Sequence, residues 1–392
     1  MLLNKLSRNS LAVVFNFGPR AKVFVMALLL FLLSPELQIE AATINVGSSC
    51  TLAQAINEAN GATSNVGSCA AGTDGAGEAG ADVINMPSTA GTITLTAALP
   101  VITSNITING NGWTISGDGK YRVFEQHRGV FTVNDLTITK SRSSGGGGAV
   151  WIRRGEFFLN RSTISDSVSS GSHGGGMQID RTGSATVIGS VFSNNRAGLS
   201  DGGAIYNLGA LAVSRSSFSD NNATISGVGG AIIHVEGATS LRVANSTFSN
   251  NTANMGGAIY ITNGPAVLTH LTITGNSAMD KDGGGGIYIG ESGFTCVALR
   301  NSLLAGNMAY TQAIPGADDC RLGAGALVGN TGNLIRTGSC GPALSSADPL
   351  LPEISSGSPA VFALPTDSPA VNAVDCITGY PGDQRGIPRP QP

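Results

Sequence analysis

Few residues in this chain have the type and spacing for chemistry. The four histidines, His127, His173, His234 and His270, stand far apart in sequence, without a neighbouring second histidine that would suggest a metal site. His270 shares a repeat position with Arg215 and Asn245, and His173 precedes a Gly-Gly bend, so both read as turn residues. Asp166, Asn194, Asp220 and Asn250 recur at one position of the same repeat. Glycoside hydrolysis needs paired carboxyls, which inverting enzymes hold ~6.5–9.5 Å apart. Stacked coils ~4.8 Å apart would put Asp166 and Asp220 at ~10 Å, at the margin of that range. Asp and Asn are also ordinary turn formers. A third set is aromatic. Trp151, Tyr206, Tyr260 and Tyr288 occupy equivalent outward positions. Their rings offer broad apolar area with a polar tip or edge, suited to stacking on sugars and equally to covering a sheet.

All of these positions belong to a repeat. Gly147-Gly-Ala-Val, Gly174-Gly-Gly-Met, Gly202-Gly-Ala-Ile, Gly229-Gly-Ala-Ile, Gly256-Gly-Ala-Ile and Gly284-Gly-Gly-Ile follow one another at offsets of 27, 28, 27, 27 and 28. A second word, Phe192-Ser-Asn-Asn195, returns as Phe218-Ser-Asp-Asn221 and Phe248-Ser-Asn-Asn251, with variants at Ile273–Asn276 and Leu304–Asn307. A fixed period of this size marks a solenoid or propeller. Apolar residues recur five before each anchor (Val133, Leu159, Val187, Val213, Val243, Leu268, Leu299) and seven before it (Phe131, Phe157, Ala185, Leu211, Leu241, Ala266, Val297). Two apart is one face of a strand, whereas the odd step to the anchors Ile138, Ile164, Phe192, Phe218, Phe248, Ile273 and Leu304 demands a bend between. The pattern predicts an all-β, right-handed parallel β-helix of about 27 residues per coil, the hand being that of nearly all parallel crossovers. The Gly pairs suit bends at positive φ. The Asn column, headed by Ser141 and Ser167, suits bonding to neighbouring backbone.

Intact at Gly202–Ile205, Gly229–Ile232 and Gly256–Ile259, with Phe192–Asn195, Phe218–Asn221 and Phe248–Asn251, these GGAI and FxxN words resemble the repeat of chlamydial-type polymorphic outer-membrane proteins. Cys50-Thr-Leu-Ala-Gln-Ala-Ile56 resembles the Cys-Ser-Leu-Arg-Glu-Ala-Ile motif near the N-terminus of many bacterial β-helix proteins, with Ala53 and Gln54 in place of Arg-Glu. Leu52, Ala55, Ile56 and Ala59 fall on one face at helical spacing, and predict a capping helix over the open end of the solenoid. Gly316–Cys320, Gly332–Ile335, Asp348–Leu351, Ser368–Asn372 and Asp383–Gly386 follow in an order similar to the C-terminal region of proteins called choice-of-anchor Q. No outer-membrane barrel of ~10-residue alternating segments is expected after it.

The expected organisation is an export signal at 1–42, an N-terminal cap at 43–81, the β-helix at 82–310 and a C-terminal capping region at 311–392. The basic Lys5, Arg8, Arg20 and Lys22, the apolar Val23–Leu33 and Ala41-Ala42 carry the signal reading, and the long basic leader also fits a signal-anchor. Removing those four cations with Glu36 and Glu40 reduces 22 basic and 25 acidic residues to 18 and 23, a net charge of about −5. That balance gives no reason to expect nucleic acid. Cys50, Cys69, Cys296, Cys320, Cys340 and Cys376 suggest disulfides in an exported protein. Six allow 15 pairings. Proximity favours Cys50–Cys69, Cys296–Cys320 and Cys340–Cys376.

Asp318-Asp319 resembles the adjacent Asp pair of polygalacturonases, but the companion Asn-x-Asp, Gly-His-Gly and Arg-x-Lys words are absent. Arg153, Arg154 and Arg161 exist for a pectate-lyase-like base, yet no acidic cluster shares their coils. The sequence therefore assigns no catalytic residue, metal ligand or cofactor. It points to a secreted or cell-surface protein that binds a polysaccharide or a host or cell-surface component, or serves structurally, with Trp151, Tyr206, Tyr260 and Tyr288 as the binding column. A polysaccharide lyase or glycoside hydrolase is the alternative.

Overall fold

The computed structural model describes residues 41–389 other than 62–68, 71–81, 263, 291–295, 312–313, 325, 341–342, 353–358 and 375–378. All but Ala41 and Ala42 of the expected export signal lies outside the described residues.

Short strands in parallel register build the coils. The coil starting at Met177 shows the plan. Met177–Ile179 forms a lead face and Ser184–Ile188 a long face within one bent strand. Val191–Ser193 forms an anchor face and Arg196–Ala197 a short face. The predicted column five before each anchor is an inward ladder. Leu159 pairs with Val133 and Val187, Val213 with Val187 and Val243, and Leu268 with Val243 and Leu299. All seven members are at most 3% exposed. Phe192, Phe218 and Phe248 stack with centroids 5.0 and 4.7 Å apart. Burying each such ring contributes ~1.5–3 kcal/mol.

The odd step to the anchor has a single-residue cause. Asp135, Arg161, Gly189, Arg215, Asn245, His270 and Asn301, three before their anchors, all adopt positive φ. One left-handed residue turns the chain through the corner and resets which side faces inward. In the Gly-Gly words the first glycine has positive φ, 70° at Gly202. The second answers to a different constraint: a Cβ on Gly203 would stand 2.1 Å from the Gly230 carbonyl oxygen of the next coil.

The asparagine column is a buried ladder. Asn195, Asn221, Asn251 and Asn276 each donate from Nδ2 to the Oδ1 of the next member, at 2.8–3.0 Å, and Asn276 donates to Asn307. Each Oδ1 also accepts the backbone N–H of the preceding Asn. The ladder ends on Asp319, whose Oδ1 accepts from Asn307 N and Nδ2, both at 2.8 Å, and whose Oδ2 accepts from Thr337 N and Oγ1, both at 2.9 Å. A second, serine ladder runs at the other corner. Ser162, Ser190 and Ser216 donate backbone N–H groups to the hydroxyls of Ser190, Ser216 and Ser246.

The amphipathic segment is helix α1 (Leu52–Ala59), with Leu52, Ala55, Ile56 and Ala59 buried against the first coils. Gln54, which stands where the resembled motif has Glu, closes a capping box: Thr51 N donates to its Oε1 at 2.9 Å and Gln54 N donates to Thr51 Oγ1 at 3.3 Å. Asn60 and Ser104 tie the helix end to the solenoid.

Cys50 is bonded to Cys69 as expected. The other two expected pairings are corrected. Cys320 is bonded to Cys340. Cys320 is a buried rung of the lead face beside Ile287, and bridges to Gly338, which brings Cys340 to a Cα distance of 5.5 Å. Cys296 precedes a long-face strand, away from that rung, and is an exposed free thiol. Cys376 lies outside the described residues.

Residues 380–389 fold back over much earlier coils. Gln384 accepts from Thr247 Oγ1 at 2.7 Å and donates to the Ser216 carbonyl at 3.2 Å, and Arg389 donates to Asn245 Oδ1 at 2.9 Å.

Candidate functional site

Alternation along the lead face turns Ile152, Ile179, Ile205, Ile232, Ile259 and Ile287 inward and their neighbours outward. Glu125, Trp151, Gln178, Tyr206, Ile233, Tyr260, Tyr288 and Arg321 form one outward column, paired rung to rung. The four aromatic residues expected there are thus brought onto a single line, Trp151 and Tyr206 two coils apart and Tyr206 and Tyr260 two coils apart.

Their surroundings differ. Two guanidiniums lie over the Trp151 ring, Arg153 3.7 Å and Arg122 4.8 Å from its centroid. Glu125 binds both arginines and also His127, whose Nε2 is 2.8 Å away. Burial pushes the Glu125 carboxyl up, but the His127 hydrogen bond and the charges of Arg122 and Arg153 outweigh it and hold it below the usual carboxylate range. Arg122 further donates to the Gly146 and Gly147 carbonyls and to Ser143 Oγ. Trp151 is therefore already engaged by arginine.

Tyr206 is half-buried and carries His173 stacked on one face, centroids 4.0 Å apart. His173 Nδ1 is 2.5 Å from Ser200 Oγ and 3.3 Å from Asp201 Oδ2. Burial and then Asp201 raise the Tyr206 hydroxyl pKa. Tyr260 is half-buried and stacks on Tyr288 at 5.0 Å with rings 3° from parallel. Tyr288, expected to be open outward, is only 6% exposed. It is the last aromatic rung, and the chain around Gly323 covers it: a Cβ at Gly323 would stand 2.9 Å from its hydroxyl. Sequence spacing gave the column; it had no term for what the next coil lays over its end.

The other candidates take structural places. Asp166, Asn194, Asp220 and Asn250 are exposed, have φ of 51–57° and make the second corner of their coils. Asp319 is 1% exposed and consumed by the ladder. Burial, against the pull of Arg321, holds the Asp318 carboxyl above its usual range. His234 is fully buried, with Nδ1 accepting from Asn207 Nδ2 at 2.9 Å, and burial lowers its pKa to about 4. His270 is a left-handed bend residue facing Tyr380, and its pKa is lowered to about 4 by burial and by Arg389. Among the described residues no group of three or more His, Cys, Asp or Glu side chains is placed to hold a metal, and no helix is long and apolar enough to cross a membrane.

Residues 104–304, just over half of the 392-residue chain, match the family model described as right handed beta helix region. No curated protein and no solved structure matches the chain.

Proposed function

The chain belongs to the right-handed β-helix family, and from that premise we propose that it is an exported, secreted or cell-surface protein that binds an extended polysaccharide without cleaving it. The observation that carries this reading is the pair Tyr206 and Tyr260, half-buried, on one outward column two coils apart with Ile233 between. Coils repeat at ~4.8 Å, so the two rings recur at ~10 Å, a scale on which a repetitive chain can meet both. A rigid solenoid presents such a line without ordering cost at binding. The competing reading, a polysaccharide lyase or glycoside hydrolase, is favoured by one observation: His173 lies within hydrogen-bond reach of Ser200 beside Tyr206. Both Ser200 and Asp201 sit on the same ring nitrogen, however, and among the described residues no second group orients the imidazole as a base through its other nitrogen. Incubation of the purified protein with a panel of polysaccharides separates the two. Retention with unchanged chain length is the expected result; release of oligosaccharides would establish the enzyme.

A further inference from the structure

One corner beside the outward column is basic. Gln126, Ile152 and Ile179 are successive rungs of the lead face. Immediately after them come His127-Arg128, Arg153-Arg154 and Asp180-Arg181, where each coil leaves that face. At ~4.8 Å per coil, three coils gather four guanidiniums within ~10 Å along the axis, in a chain whose formal net charge is −3. The carboxyls at this corner are mostly committed. Glu125 is bound by Arg122, Arg153 and His127. Asp180 accepts from Gln178 Nε2 at 2.8 Å. Glu156 is exposed at this corner, and the exposed Glu236 adjoins Gly237, where a Cβ would stand 2.4 Å from Arg181 Nη1; neither forms an ion pair with the exposed Arg128, Arg154 or Arg181 among the described residues. Those three arginines enter no ion pair among the described residues. Arg153 is held in place, stacked on Trp151 and bonded to Glu125. Asp201, Arg181 and Asp180 all lie close enough to Tyr206 for their charges to act on its hydroxyl, so the arginine corner and the tyrosine are parts of one surface.

We infer that the ligand of the outward column is an acidic polysaccharide, its carboxylate or sulfate groups set against Arg128, Arg154 and Arg181 while a sugar ring lies on Tyr206. The inference rests on the glycan reading above and names its chemical class. The guanidinium fork matches the two-oxygen edge of a carboxylate or sulfate, which a neutral glycan cannot offer. None of the three gives up an ion pair when it turns to a ligand, and Arg128 can keep its one bond, from Nε to the Thr103 carbonyl at 2.7 Å, while its terminal nitrogens make outward contacts. A nucleic acid would need a longer basic stripe than three such residues on an acidic chain provide.

Native electrophoresis tests this, in gels cast with polygalacturonate, heparin, uncharged dextran or duplex DNA. Retardation by polygalacturonate or heparin beyond that by dextran is expected, and it should fade at high salt as exposed charges are screened. The two acidic probes distinguish carboxylate from sulfate. The triple variant Arg128→Gln, Arg154→Gln, Arg181→Gln should keep its thermal midpoint, because these side chains are exposed, and bind the acidic probe at least roughly tenfold more weakly. Dextran retarding the protein as strongly as the acidic probes would overturn the acidic class and leave glycan binding standing. DNA matching the acidic probes would overturn it as well, by showing indiscriminate attraction to polyanions. No retardation in any gel would sink both readings. A triple variant that binds like the parent would overturn the placement.

Discussion

Ile259 and Tyr260 are neighbours in one strand, yet their columns obey different rules. The inward column of Ile259 runs Phe124, Val150, Met177, Ile205, Ile232, Ile259, Ile287, Cys320, apolar at every rung and isoleucine at four in succession. The outward column of Tyr260 runs Glu125, Trp151, Gln178, Tyr206, Ile233, Tyr260, Tyr288, Arg321, with almost every rung different. Inside, each side chain must fill the same volume between the same two neighbours at close packing, so the residue type is dictated by the stack. Outside, nothing in the stack dictates it. Variation there is left for a ligand, or for local covers such as Arg122 and Arg153 over Trp151, to determine.

The largest expected effect breaks the uniform side. Val213→Asp sets an unpaired carboxylate between Val187 and Val243, at a cost on the order of 5 kcal/mol, and should abolish folding. A soluble variant with the parental melting curve would remove the ladder from its role. Next comes Asn251→Ala. It removes the acceptor of two bonds from Asn221 and the donor to Phe218 O and Asn276 Oδ1. Orphaned buried groups cost ~1–3 kcal/mol each, so chemical denaturation should show a loss of about 4 kcal/mol; less than 1 kcal/mol would mean that the ladder merely follows the fold.

The third effect is pH dependence at His234. Its folded pKa, about 4, lies below the ordinary 6.5, so the folded state holds it neutral. Its contribution is complete above pH 6.5 and is lost as pH falls from 6.5 toward 4, reaching about 3 kcal/mol. His234→Asn can keep a bond to Asn207 without titrating, and should shrink the fall of the thermal midpoint across that window, leaving the share of His270, whose pKa is likewise about 4. An unchanged pH profile in the variant would assign the effect elsewhere. The smallest stability effect belongs to the varied side. Tyr206→Ala with Tyr260→Ala gives up two stacking contacts worth ~0.5–1.5 kcal/mol each. Glycan retention should fall while the midpoint moves by a few degrees. Undiminished retention, or early unfolding, would make the column a cover and not a site.

What was legible in the sequence follows the same division. Val187, Val213 and Val243 announced their register because the same constraint repeats at every coil, and the Asn column announced its ladder for the same reason. The serine ladder of Ser190, Ser216 and Ser246 was equally periodic and went unread, because serine is common in turns for other reasons. The cover over Tyr288, the Cys320–Cys340 bond and the docking of Gln384 on Thr247 were not legible. Each depends on chain that lies outside the period, where no neighbouring coil supplies a template. At the outward column, position was readable from spacing, whereas availability was not: Trp151 shares its repeat position with Tyr206, and only their arginine and histidine neighbours set them apart.

The asparagine ladder also has a direction. Every rung passes one amide hydrogen toward the C-terminal end, to the next Oδ1, and returns the other to an anchor carbonyl of the preceding coil, so the amide-to-amide bonds all run one way, like cells wired in series. The final member of the series is Asp319, whose two oxygens are filled by four donors and have no hydrogen to pass on. It is a terminal in the electrical sense: the circuit ends there, and another coil, whether of this chain or of a neighbouring molecule, finds no live contact to continue it. A solenoid is a shape with no intrinsic length, and one carboxyl at the end of its amide wire gives this one a place to stop.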